Sequence, residues 1–300
     1  MYSQLVMYFC AMQRIAYFSL RIVIVLFRWL PFRALYILSD GIAFLLCHVI
    51  RYRKNVIADN LQRAFPEKTK AEIRDITRES YRSLSDVLVE TLKSFSMSVG
   101  ALTHRCRPVN PELLNRYLDR NQPVILAGTH LGNWEYSGLT MPPAFHGITI
   151  GAFKPLRNKK MEHFLNLARA KTGMEMVRMD DVYRVMRLRS SEAAVFLLLA
   201  DQSPSSRKSA HWVSFFGQQT AFLPGVDVLS RKFVCPVVYY RTERLRRGFY
   251  EIVFEEICSD PNAMPEKGIT RAYAQLLERN IRQRPEQWLW SHRRWKMKAE

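Results

Sequence analysis

The sequence predicts an α/β fold, a mixed sheet flanked by helices, carrying an N-terminal membrane-associated helical segment. Three observations predict it. Residues 1–32 are intensely apolar yet interrupted by regularly spaced arginines; helical periodicity continues to about residue 100; and from about residue 121 short β-rich runs alternate with helical patterns. The organisation expected is N-terminal anchor helices over 1–50, a helical region over 51–120 and an α/β region over 121–300. With 300 residues, 48% of them hydrophobic, the chain can bury one large core.

In "MYSQLVMYFCAMQRIAYFSLRIVIVLFRWLPF", Arg14, Arg21 and Arg28 recur every seven residues, nearly one stripe on a helix. They leave no charge-free window of the ~18 residues that a clean spanning helix needs. An arginine stripe opposite Leu, Val, Ile and aromatic residues suits a helix lying in, or tilted through, a bilayer, with the arginine stems reaching for phosphate headgroups. A core helix with a solvated face is the plainer alternative. No basic segment precedes the apolar run and no small-residue cleavage site follows it, so the segment reads as a retained anchor and not as a cleavable signal. A second apolar stretch, "ALYILSDGIAFLLCHVI", ends in the basic cluster Arg51, Arg53 and Lys54. Thr69 with Glu72 then forms a capping-box pattern, followed by Ile73, Ile76, Leu84, Leu88, Leu92 and Phe95 at helical spacing.

Lys and Arg number 45 against 27 Asp and Glu, a net charge of +18, and 32 of the 45 are Arg, whose planar fork suits phosphate and carboxylate. Such a surface attracts nucleic acid, anionic lipid or an acidic protein. The apolar N-terminus and the lack of any DNA- or RNA-binding motif argue against nucleic acid. "RCRPVN", "RLRRG" and "HRRWKMK" are the densest basic segments after the anchor and suit phosphorylated lipid or a carboxylate-rich protein, or simply a solvated face. Cys10, Cys47, Cys106, Cys235 and Cys258 are scattered without a CxxC pair or metal-ligand spacing, which predicts a reduced compartment and no metal site.

The strands expected are "PVILAG", "GITIGAF", "AAVFLLLA" and "CPVVYYR", alternating with helices near 134–141, 158–172, 180–190 and 224–233. At the end of the first strand lies "GTHLGNWEYSG". His130 falls at the strand's C-terminal end, where open α/β sheets bind ligands, and Asn133 can cap a helix whose first turn holds Glu135. Folding back through Leu131-Gly132 is expected to bring the Glu135 carboxylate onto one ring nitrogen of His130, leaving the other as a base. No GxSxG elbow and no nearby cysteine offers a nucleophile, so a covalent acyl-enzyme is disfavoured and direct deprotonation of a bound alcohol is favoured. A satisfied loop histidine, or the same pair acting on water, are the competing readings. Asp201-Gln202 ends a second apolar strand and points to the same sheet edge. "WVSFF" with Phe222 and Leu223 could line an acyl groove or be plain core.

"ILAGTHLGNWE" resembles the HX4(D/E) acyltransferase motif in the form found in the bacterial lipid A biosynthesis lauroyl/myristoyl acyltransferase family. In the same order follow "FKPLRN" (153–158), Arg169 with Gly173, "LLADQ" (198–202), "VSFFG" (213–217) and "EQWLWSHRRWK" (286–296), with "RKNVIADNLQRAFPE" (53–67) upstream. The resemblance implies a glycerolipid acyltransferase-like fold on the cytoplasmic face of the inner membrane. It implies transfer of a fatty acyl chain from acyl carrier protein to a hydroxyl of a lipid A precursor, with His130 and Glu135 catalytic. Asn133, Lys154, Asn158, Arg169, Asp201 and Gln202 would bind substrate. No cofactor is implied beyond the carrier's phosphopantetheine, and no metal. Lys154 stands where relatives commonly have Arg, and Ser230 where Ala is usual. Another glycolipid, a lysophospholipid or a hydroxylated lipid is the alternative acceptor.

Overall fold

The computed structural model describes residues 2–298, with side chains from Arg14 onward except Ala16. The first thirteen side chains of the expected anchor, Cys10 among them, lie outside the described ones. The N-terminal third is helical, as its periodicity predicts: α1 (Tyr2–Trp29), α2 (Phe32–Phe44, continued by a π-helical turn Leu45–Val49), α3 (Lys54–Ala64), α4 (Lys70–Ser94) and α5 (Val99–Arg105). Pro31 separates α1 from α2, because it can start a helix but cannot continue one. The Thr69–Glu72 capping box forms as read, each partner satisfying the other's backbone N–H at the start of α4.

After β1 (Cys106–Pro108) and α6 (Glu112–Leu118) the chain alternates through β2 (Val124–Gly128), α7 (Trp134–Thr140), β3 (Ile148–Phe153), α8 (Lys159–Ala170), β4 (Met174–Arg178), α9 (Val182–Leu188) and β5 (Ala194–Leu199). A hairpin of β6 (His211–Phe215) and β7 (Gln218–Phe222) precedes α10 (Gly225–Phe233), β8 (Val237–Arg246), β9 (Phe249–Cys258) and α11 (Gly268–Gln283). The seven-stranded sheet runs β1-β9-β8-β2-β5-β3-β4. Only the β8/β9 pairing is antiparallel; the other pairs are parallel, which makes the sheet mixed, as the sequence predicts. β1, β4, β9 and the hairpin were not among the expected strands.

The central strands are buried on both faces, and their two-residue period divides the core. Ile125 and Ala127 of β2 and Phe196 of β5 face one apolar cluster with α11 and the C-terminal tryptophans. Val124, Leu126, Val195 and Leu197 face the other, with α6 and α7. β2 and β5 are in register, Gly128 opposite Leu199, so the residues following both strands emerge side by side at one edge.

α1 and α2 dock on α4 through a small cluster of Phe27, Leu35 and Val89. Their outer faces stay uncovered, with Ile15, Phe18, Ile22, Val25, Leu26, Ile37, Phe44 and Val49 exposed. The 18 residues Phe32–Val49 are long and apolar enough to cross a membrane, and most are unburied. Lys93 of α4 ends α1, its Nζ donating to the carbonyls of Phe27 (2.6 Å), Arg28 (2.9 Å) and Leu30 (2.9 Å). These carbonyls have no partner further along the helix, so the ammonium satisfies them and opposes the helix dipole. Lys93→Met should therefore loosen α1. We expect a loss of roughly 2–4 kcal/mol of stability in detergent and faster proteolysis at residues 28–32. Unchanged cleavage kinetics would show that packing alone holds the helix.

Candidate active site

His130 follows β2 and Asp201 follows β5, and the register of those two strands brings them together. His130 Nδ1 lies 2.6 Å from Asp201 Oδ1. The other oxygen, Oδ2, accepts from the His130 backbone N–H (2.8 Å), Thr129 Oγ1 (3.0 Å) and Trp288 Nε1 (2.9 Å). Burial would push the Asp201 carboxyl up, but the charge of His130, its ring and backbone hydrogen bonds and the Trp288 donor hold it well below the usual carboxylate range. Burial pulls the His130 imidazole down, yet Asp201, by charge and hydrogen bond, and Glu135 outweigh it and leave the ring above its ordinary value. A carboxylate on Nδ1 fixes the proton there in the neutral ring and leaves Nε2 as the acceptor.

The expected Glu135–His130 contact is corrected. Asn133 caps α7, its Oδ1 accepting the Tyr136 N–H (2.9 Å), so Glu135 leaves the first helical turn toward α8. There it takes Arg169 in a two-pronged grip, Nη2 donating to Oε1 at 2.8 Å and to Oε2 at 3.1 Å. The reason is register: Asp201 stands directly across the β2/β5 edge from His130, whereas a helix start lies between His130 and Glu135. Gly132 makes the intervening turn with φ +65°, and a Cβ there would sit 2.8 Å from the Thr242 carbonyl oxygen, so backbone conformation and space both require glycine.

Beside the pair opens a cavity of about 310 Å³. Its polar end carries His130, Glu135, Lys154 and Arg169, and its apolar wall carries Trp134, Leu165, Met174, Met176, Leu197, Leu199 and Tyr240. The Trp134 ring stands edge-on to the imidazole, centroids 5.1 Å apart. Gly138 and Gly151 also line it, and a Cβ at Gly151 would sit 2.5 Å from the Met174 sulfur.

Of the other residues expected to bind substrate, Gln202 lies near the free side of the imidazole, its Nε2 at 3.5 Å from His130 Nε2. Asn158 caps α8 by accepting the Met161 N–H (3.2 Å) and does not line the cavity. Asn133 is fully buried and does not line it either; its Nδ2 donates to Glu90 (2.7 Å), so it builds the loop. Sequence reasoning passed over Glu90. Burial pushes this carboxyl up, against hydrogen bonds from Tyr250 (2.8 Å), Asn133 and Tyr36 (2.9 Å). It also passed over Trp134 and Trp288, although both sit inside the quoted motifs. "WVSFF" is core and not groove, with Phe215 and Phe222 buried among aromatic rings.

The model of the bacterial lipid A biosynthesis acyltransferases matches residues 9–297. The chain belongs to that family. It is similar to the lipid A biosynthesis palmitoleoyltransferase of Escherichia coli (strain K12), 25% identical over 278 residues that cover 91% of this chain and 89% of the relative. A lipid A biosynthesis acyltransferase of Shigella flexneri matches to the same extent. The lipid A biosynthesis lauroyltransferase of E. coli is 23% identical over 275 residues, covering 90% of this chain and 88% of its own. The lipid A acyltransferase membership makes the chain an acyltransferase, and acyl transfer in lipid A biosynthesis is the chemistry its site has to serve.

The two shifts give a pH dependence with a definite sign. A raised His130 contributes stability fully present below about pH 6.5 and lost as pH rises through its folded value, and a lowered Asp201 contributes stability present above about pH 4 and lost as pH falls. The pair thus stabilises most between those limits. If neutral His130 is the base, the acid limb of kcat/KM should lie above about pH 6.5. Asp201→Asn should move that limb to lower pH and cut the rate by about 10³–10⁴. A limb that stays in place would show that Asp201 does not set the imidazole's basicity.

Proposed function

We propose that this protein transfers a fatty acyl chain from acyl carrier protein to a hydroxyl of a lipid A precursor, at the cytoplasmic face of the inner membrane, without an acyl-enzyme. The observation that carries the reading is the His130–Asp201 pair at the polar end of an apolar cavity. That arrangement supplies a base where a hydroxyl and an acyl carbonyl would meet, and a dry slot for the chain.

In this reading His130 Nε2 takes the proton of the acceptor hydroxyl as its oxygen attacks the thioester carbonyl. Asp201 holds the imidazolium that forms, and the same nitrogen returns the proton to the departing thiolate of the carrier's phosphopantetheine. Arg169 and Lys154 bring positive charge to the cavity wall, where a tetrahedral oxyanion would develop. Glu135 acts on this chemistry chiefly by positioning Arg169. Among the described residues His130 bonds no serine or cysteine side chain that could serve as nucleophile. The lipid A acyltransferases to which the chain is similar support the acceptor class, and the uncovered apolar faces of α1 and α2 support membrane association, with the basic surface turned to anionic lipid and an acidic carrier.

His130→Ala should abolish transfer with the fold intact, because a general base contributes about 10²–10⁴ and, among the described residues, no serine or cysteine side chain is bonded to His130 to offer a second route. Glu135→Gln should weaken activity less than His130→Ala and chiefly through Arg169, so Arg169→Ala in the same background should add little. The assay is acyl transfer by the full chain in detergent, from acyl carrier protein to a lipid A precursor, read by mass spectrometry. Near-normal turnover by His130→Ala would overturn the mechanism, and transfer to water alone would overturn the acceptor.

A further inference from the structure

A second cavity, about 610 Å³, opens where α2 gives way to α3, and its lining includes Arg51, Arg53, Lys54 and Arg293. No acidic residue lines it. Among the described residues none of these four cations is in an ion pair, and their one side-chain hydrogen bond is from Arg53 Nη1 to the Ser291 carbonyl at 2.8 Å. Other arginines gathered in one place share a carboxylate: Arg244 and Arg247 meet on Asp86, and Arg241 and Arg279 on Glu255. Four like charges gathered without a counter-charge repel one another, so the cluster is suited to an anion from outside the chain.

Its position says which anion. Arg51 and Arg53 follow the apolar stretch Phe32–Val49, at the level where a membrane's headgroups would lie if that stretch enters the bilayer. Both are held at positive φ, 52° and 50°, a conformation costly for any side chain but glycine. α3 begins there without a side-chain cap. The cluster is also tied to the active site. Asn60 of α3 donates to the carbonyls of Trp290 and His292, both at 2.7 Å, in the tail segment whose Trp288 holds Asp201. A small hollow lined in part by Ile57, Ser291 and Trp134 shares Trp134 with the cavity of His130, and its Ser291 carbonyl accepts from Arg53.

We propose that Arg51, Arg53, Lys54 and Arg293 bind a phosphate monoester on the headgroup of the acceptor lipid and so orient its hydroxyl toward His130. The assignment rests on the acceptor class named above. A concave site lined by three guanidinium groups and an ammonium favours a compact dianion over the extended carboxylates of a carrier protein.

The test uses the full chain in zwitterionic vesicles and the pair of substitutions Arg51→Gln and Arg293→Gln, two side chains whose removal breaks no bond in the protein. The acceptors are a phosphorylated lipid A precursor and the same lipid after phosphatase treatment. We expect the wild-type preference in kcat/KM for the phosphorylated acceptor to fall at least tenfold in the Gln pair, and Arg51→Lys with Arg293→Lys to restore most of it. Carrier KM and retention on phosphatidic acid vesicles are measured beside it. A preference kept by the Gln pair overturns the proposal. So does a loss confined to carrier KM, which would make the cluster a carrier-docking surface, or one confined to vesicle retention, which would make it a contact for bulk lipid. No turnover of either acceptor by the wild type overturns the acceptor reading itself, an outcome distinct from turnover without a phosphate preference.

Discussion

A buried carboxylate is tolerated only when its lone pairs are met, and Asp201 meets its own by drawing on three separate parts of the chain. Thr129 and His130 come from the end of β2, the carboxylate itself from the end of β5, and the Trp288 indole from the tail beyond α11. Removing any one donor would leave part of a charge unpaired in the interior, at a cost of about 1–3 kcal/mol or more. The sheet edge, the loop that carries His130 and the C-terminal segment must therefore close on one another together. The tail is fastened further by an antiparallel bridge from Leu131 to Trp288 and by Ser203 donating its N–H to His292 Nε2 at 3.0 Å.

Glu90 plays a comparable part on the other side of the loop. It gathers Tyr36 of α2, Asn133 of the loop and Tyr250 of β9 around one fully buried carboxyl. A helix with an exposed apolar face is thus joined, through one residue of α4, to the turn that sets His130. Asp86, one helical turn earlier, binds Ser39 of α2 at 2.6 Å and both Arg244 and Arg247 near the β8/β9 turn. The helical third and the α/β region are held together by polar contacts where the helices with exposed apolar faces meet the sheet, and by apolar packing elsewhere.

The charge is divided in a matching way. Many of the basic side chains are neutralised within the protein, and those on α4 and α11 form helix-surface pairs worth little individually. The unmatched cluster around Arg51 and Arg293 lies at the base of the apolar helices, on the side served by the tail. The net charge of the chain therefore says less about function than where several unpaired cations line one cavity.

Periodicity and capping determined the outline by themselves. The helical third, the Thr69 cap and the four central strands follow from local sequence, because side-chain spacing and backbone satisfaction act over a few residues. His130 was legible for the same reason, as a polar group at the end of a buried strand. Strand order was not, since β1 joins β9, and β2 joins β8, through pairings between residues more than a hundred positions apart. Nor was the partner of His130. Proximity in the chain pointed to Glu135, five residues on, but the contact is made by Asp201, seventy-one residues away, through the β2/β5 register. Glu90, Trp134 and Trp288 were hidden likewise: as residues they read as helix interior and core, and only packing turned their polar atoms and rings toward the site. Local physics fixes which groups are available, whereas the tertiary structure decides which of them meet.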